Sequence, residues 1–314
     1  MGELAAKLLV LGAGVNGSAI AAGLHQAGQD VTVLARGTRF DALSSQGIII
    51  ENPFNHRRTV TKVPAIDHLG AETAYDYVLV VVRKSQVADV LPLISLNPSP
   101  TIVFMGNNLS GPDEFIRSLG EERVMMGAVY AAGKRDGHVV RAVVAKRVAA
   151  PFGEVDGRIT PRLKRLVAIF RQAGFGAEAS SDIVDFQATH GAEVALIGKL
   201  VLKYRCDTRA LARAGDDLRL FVDARREAHE VLRALGRRIV PRSETAIGII
   251  PVFVQVAAIR MLLRSKLGEV GLAWHCSQAP DEIHQLEQEL KVLVDRAGLA
   301  VPAIWKVLAA DSRH

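Results

Sequence analysis

The chain has 314 residues, 49% hydrophobic and 23% charged, which excludes a disordered protein and leaves room for two ordinary domains. Its formal charge of +6 is spread thinly, in short pairs such as Lys134-Arg135, Arg225-Arg226 and Arg237-Arg238, so the concentrated basic face of a nucleic-acid binder is not expected. Two cysteines, Cys206 and Cys276, exclude a disulfide framework and suit a reducing cytoplasm.

Residues 8–11 form an apolar run that leads straight into glycines, so a strand is expected there rather than a secretory signal. A helical pattern over 18–27 closes at Gly28, and residues 31–34 form the next strand. Residues 77–82 and 101–105 are continuous apolar runs, as expected of strands buried on both faces of a parallel sheet. Residues 47–62 alternate differently, and Gly137-His138 lies between two β-branched stretches, so appended strands and hairpins are predicted. Pro151, Gly153, Gly157 and Pro161 punctuate the chain before a helix over 162–172.

Beyond Ser181 the strand signal fades. Residues 184–214, 216–235, 245–264 and 280–297 carry helical periodicity. The predicted fold class is therefore α/β: a doubly wound parallel sheet of the Rossmann type over 1–181, followed by an all-helical domain over 182–314. Residues 246–263 approach the length of a membrane span, but Pro251, Gln255 and Arg260 interrupt them, so a buried helix is expected and no membrane partner.

Gly12-Ala13-Gly14-Val15-Asn16-Gly17 directly follows the first strand and opens a helix of small residues. In that context G-x-G-x-x-G is a dinucleotide turn. Gly12 permits the tight turn, Gly14 lets a pyrophosphate approach the backbone, and Gly17 packs the helix on the strand. The N–H groups of Val15, Asn16 and Gly17 at the helix start then face the anion. NAD-specific sites place a carboxylate at the end of the second strand, about 20 residues on. Here Arg36 stands there, with Arg39 as a helper, and a guanidinium suits the ribose 2′-phosphate of NADP(H).

These residues resemble the ketopantoate reductases (2-dehydropantoate 2-reductases). The N-terminal turn, the Val-Leu-Ala-Arg strand end and the segment Arg83-Lys84-Ser85-Gln86 are similar to that family's elements. Residues 104–108, Phe-Met-Gly-Asn-Asn, resemble its leucine-glutamine-asparagine-glycine turn. The resemblance implies NADPH-dependent reduction of a small 2-oxo acid, ketopantoate to pantoate in pantothenate synthesis. It puts Arg83 and Gln86 on the cofactor and Asn107 on the nicotinamide ribose.

The family's catalytic lysine lies in a tryptophan-x-lysine-leucine pattern, matched by Ile197-Gly198-Lys199-Leu200, which makes Lys199 the general acid. An ammonium beside a ketone oxygen stabilises the charge developing there and can supply the proton. Two asparagines of the family correspond to Lys203 and Asp207, the substrate-binding candidates, and Asp281-Glu282-Ile283 resembles a threonine-glutamate-isoleucine element, adding Glu282 as a catalytic candidate. Glu282 can also be read as negative charge favouring a helix start after Pro280. Alternatives of the same plan are an opine- or imine-forming dehydrogenase and a non-catalytic NADP sensor. No nucleophile elbow surrounds Ser44, Ser180 or Ser277, and His275, Cys276 and His284 are too few ligands for a metal, so neither a hydrolase nor a metal is expected. A homodimer is left open.

Overall fold

The computed structural model describes residues 5–128, 131–144 and 148–310. The chain divides into two compact units, one made of Met1–Gly106 with Pro112–Val184, the other of Asn107–Gly111 with Asp185–His314. The change of unit falls at Val184/Asp185, three residues past the composition shift, and the five residues after Gly106 go with the helical unit.

The first unit is built on an eight-stranded sheet in the order Ala177–Ala179, Ala150–Glu154, Val124–Gly127, Ile102–Phe104, Tyr77–Val80, Lys7–Leu11, Asp30–Leu34, Ala65–Ile66. Neighbours run parallel except where Ala150–Glu154 meets Val124–Gly127. Leu8, Leu9, Val10, Val78, Leu79, Ile102 and Val103 are fully buried, because helices cover both faces and no polar alternation is tolerated. Pro161–Gln172 shows how such a helix is specified. Thr160 caps it by accepting from the N–H of Leu163, Pro161 stands in its first turn, and Leu163, Leu166, Val167 and Phe170 recur on its buried face.

A second sheet runs Arg58–Thr61, Ile48–Glu51, Val139–Val144, Ala131–Asp136, the extra strands the sequence predicts. The hairpin of its last two strands turns at Gly137, whose φ of 57° favours glycine. Gln26 Nε2 on the helix Val15–Gln26 donates to Thr61 Oγ1 at 2.7 Å and fastens this sheet to that helix.

The second unit is helical around a core that includes Leu196, Leu200, Val222, Val231, Ile283, Leu290 and Ile304. Two of the predicted helices are broken. The span 184–214 becomes Ile183–Lys203 and Thr208–Arg213, because Arg205 and Cys206 adopt left-handed backbone and Asp207 starts a new helix. The span 245–264 becomes Arg242–Ile247 and Val252–Arg264, with Gly248 and Pro251 in the gap. Pro280–Ala297 is continuous as predicted and ends at Gly298 in the left-handed conformation. Among the described residues no helix is long and apolar enough to cross a membrane.

Candidate active site

In the first unit the carboxyl ends of the parallel strands set the positions of the cofactor candidates. Leu11 pairs with Leu34 on one side and Val80 on the other, and the N–H of Gly12 donates to Leu34 O at 3.2 Å. The glycine turn, Arg36 and Arg83 are thereby brought to one edge of the sheet. Gly12 has φ of 110°, and a Cβ there would lie 2.4 Å from Val81 O; one on Gly17 would lie 1.8 Å from Gly12 O. Both glycines are therefore demanded by backbone against backbone. Gly14 differs: a Cβ built on it meets nothing within 4 Å, so that side of the turn is open and a group such as a pyrophosphate can lie against it. Gly14 starts the helix without a side-chain cap, which leaves the first N–H groups to another acceptor. The turn fits a dinucleotide.

Its other face is held from within. Arg39 is buried and donates Nε to Ala13 O at 3.1 Å, Nη2 to Ser18 Oγ at 2.9 Å and Nη1 to His138 O at 3.1 Å. Burial, then the Arg135 cation, pushes its pKa down to about 10. Arg39 thus braces the turn rather than assisting Arg36, which is exposed two residues past the strand Asp30–Leu34. Asn16 Oδ1 accepts from the N–H of Ala131 at 3.2 Å and ties the turn to the small sheet. Gln86 Oε1 accepts from the N–H of Arg83 at 3.3 Å, closing a short 3₁₀ turn. Lys84 is buried, 3.6 Å from Glu114 and 4.7 Å over the Phe115 ring, so Arg83 is the more exposed cation of that pair.

In the second unit one helix, Pro280–Ala297, organises the remaining candidates. Asn107 Nδ2 donates to Glu282 Oε1 at 3.0 Å. Glu289 Oε2 accepts from the N–H of Leu109 at 3.0 Å and of Ser110 at 3.1 Å. Glu287 Oε2 lies 3.4 Å from Lys199 Nζ. These carboxylates are buried, and each is matched by a donor or a cation. Two glycines permit the arrangement: a Cβ on Gly191 would lie 2.2 Å from Leu109, and one on Gly198 would lie 2.6 Å from Ile283. The helix Ile183–Lys203 therefore approaches the loop 107–111 and the helix Pro280–Ala297 closely, and Lys199 reaches Glu287.

His275 Nε2 stands 3.7 Å from the second oxygen of Glu282. Nearby His190 stacks on Phe186, and burial, then His275, pushes its pKa down to about 4, so it is neutral at ordinary pH. The geometry gives the two other candidates local tasks. Lys203 Nζ donates to both oxygens of Asp217 at 2.9 and 2.8 Å, and Tyr204 donates to the same carboxylate. Asp207 caps the helix Thr208–Arg213, accepting from the N–H groups of Arg209 and Ala210 at 2.9 Å. Glu287, Glu289 and the bracing role of Arg39 are absent from the sequence reading. The only signal for the glutamates was Glu spaced along one helix, which ordinarily marks a solvated face.

The sequence profile described as ketopantoate reductase PanE/ApbA matches residues 8–157. Over these residues the chain is similar to the ketopantoate reductase family. A curated relative, the 2-dehydropantoate 2-reductase of Archaeoglobus fulgidus, is 29% identical over 182 residues, 56% of this chain and 57% of that protein. The chain thus matches little more than half the length of its curated relatives. Among solved structures, 2-dehydropantoate 2-reductase from Geobacter metallireducens superposes with a TM-score of 0.79 at 19% identity, covering 96% of this chain and 98% of that one. D-mandelate dehydrogenase, solved in a ternary structure with NADH and anilino(oxo)acetate, superposes with a TM-score of 0.77 at 14% identity, covering 96% of each chain. At these identities the superpositions establish the shared ketopantoate reductase fold.

Proposed function

We propose that the protein is an NADPH-dependent reductase of a small 2-oxo acid, with ketopantoate as the first substrate to test. The observation that carries this reading is the glycine turn: closed by backbone at Gly12 and Gly17, open at Gly14, with exposed Arg36 beside it. The first unit is the cofactor-binding one. The N–H groups of Val15, Asn16 and Gly17 would hold the pyrophosphate, Arg36 the 2′-phosphate, and Arg83 and Gln86 the rest of the dinucleotide. When bound, the nicotinamide supplies the hydride.

The second unit would supply the substrate groups. Asn107, fixed by Glu282, orients the nicotinamide ribose. Lys199, held by the buried carboxylate of Glu287, gives its proton to the carbonyl oxygen. Lys203 and Asp207, engaged with Asp217 and a helix start, would shape the substrate side by position rather than by direct contact. The NADH- and anilino(oxo)acetate-bound neighbour extends the substrate range worth testing to aromatic 2-oxo acids.

Ile249, Phe253 and Met261 expose 84%, 72% and 72% of their surface on the segment around Val252–Arg264, and this face would make a homodimer. Cys206 and Cys276 are unpaired, in keeping with a cytoplasmic protein. Loss of NADPH absorbance on addition of ketopantoate, aliphatic 2-oxo acids or aromatic 2-oxo acids tests the function. Turnover of one of them supports it. NADPH binding with no turnover of any would replace the reductase by a sensor.

A further inference from the structure

The second unit holds a polar cluster that the reductase reading does not use. Glu193 comes from the helix Ile183–Lys203, His229 from Gly215–Ala234 and Glu244 from the short helix Arg242–Ile247. One ligand atom from each lies within 4.8 Å of the others, and His229 Nε2 stands 3.6 Å from Glu193 Oε1. Glu193 Oε1, His229 Nε2 and Glu244 Oε2 are all buried without a hydrogen-bond partner. The His229 side chain is only 7% exposed.

Three unsatisfied buried atoms around one point require an explanation, since each ordinarily costs about 1–3 kcal/mol. Carboxylate oxygens are acceptors only. An imidazole nitrogen that carries no proton offers a lone pair, and His229 Nε2 is buried with no donor or acceptor bonded to it. What converges here is one imidazole nitrogen and two carboxylates that face each other, all groups that can offer electron pairs.

Neighbouring charges limit what can fill the gap. Arg225 Nη1 lies 3.8 Å from Glu244 Oε2, while its Nη2 donates to Gln255, so the guanidinium flanks the cluster without reaching its centre. Arg233 adds a weaker positive field at His229. Two ionised carboxylates against Arg225 still leave a net negative site.

We propose that Glu193, His229 and Glu244 form a binding site for one divalent cation of the zinc class. One imidazole nitrogen and two carboxylate oxygens suit a borderline cation. Metal–ligand bonds of about 2.1 Å in a tetrahedron separate the ligands by about 3.4 Å, close to the His229–Glu193 spacing. The cation clamps the short helix Arg242–Ile247 to two long ones, and a water completes its shell. This site is separate from the reductase residues and stands whether or not that reading holds.

Untagged full-length protein, stripped with a chelator, is titrated with Co²⁺ and then with Zn²⁺. The site predicts one equivalent of Co²⁺ with visible d–d absorption, displacement by Zn²⁺, and a Tm that rises with Zn²⁺ concentration. Glu244→Gln, of the same size, should weaken binding by about tenfold or more, and His229→Gln should abolish the 1:1 signal. Wild-type protein that binds neither ion saturably overturns the site. So does binding that both variants, folded by circular dichroism, leave unchanged.

Discussion

Asn107 Nδ2 donates to Glu282 Oε1 across 3.0 Å, joining residues 175 positions apart in the chain. The bond explains why a glutamate 6% exposed opens a helix where an exposed one would satisfy the dipole equally well. If Glu282 acts by positioning Asn107, the two are coupled. Asn107→Ala and Glu282→Ala should each lower kcat by about 10²-fold, the scale of a small misplacement at the reacting atoms. The double variant should lose little more than either single one, with a coupling energy of about 1–3 kcal/mol. Full additivity would separate them.

Arg36 should set the choice of cofactor. A lost charge-assisted contact costs about 1.5–3 kcal/mol, so Arg36→Ala should weaken NADPH by roughly 10- to 100-fold and leave NADH nearly unchanged. Fluorescence titration with both nucleotides reads the difference. Equal losses would remove Arg36 from the 2′-phosphate.

Gly14 and Gly17 should respond in opposite ways. A side chain at Gly14 meets no protein atom within 4 Å, so Gly14→Val should fold normally and lose NADPH binding. A Cβ at Gly17 would lie 1.8 Å from Gly12 O, so Gly17→Ala should destabilise the fold itself, by about 2 kcal/mol or more. Urea midpoints and calorimetric titration of the two proteins make the comparison. NADPH bound by Gly14→Val as by wild type would contradict the turn's role.

These glycines also mark how far the sequence could be read. The turn, the strand ends and the parallel sheet were legible because each rests on local pattern: apolar runs at residues 8–11 and 77–82, then glycines in a fixed spacing. The break at Arg205-Cys206 was not, since neither residue is a customary helix stop, yet both adopt left-handed backbone. Arg39 and Arg36 lie three residues apart and look alike, yet one is buried against Ala13 O and the other is exposed. The tasks of Glu282, Glu287 and Glu289 depend on the loop 107–111 and on Lys199, partners far away in sequence that periodicity cannot reveal.

His190 should make the protein acid-sensitive. The unfolded imidazole titrates at 6.5 and the folded one at about 4, so the unfolded chain takes up the proton first as pH falls. The stability involved is whole above pH 6.5 and is lost as pH drops through about 4, a difference of about 1–3 kcal/mol. His190→Phe keeps the stack on Phe186 and removes the titration. Its urea midpoint should fall less than that of wild type over this window. Parallel pH profiles would rule His190 out.

Lys199 carries the central claim, because it distinguishes a reductase from a dinucleotide-binding protein without chemistry. Its ammonium is held 3.4 Å from the buried carboxylate of Glu287, whereas Lys203, four residues on, is engaged by both oxygens of Asp217. The decisive measurement is the single-turnover rate of NADPH oxidation with a reducible 2-oxo acid, wild type against Lys199→Ala, with NADPH affinity measured in parallel. Loss of the general acid should slow this step by about 10²–10⁴-fold and leave NADPH binding unchanged. A Lys199→Ala protein that reduces the oxo acid at the wild-type rate would contradict the account.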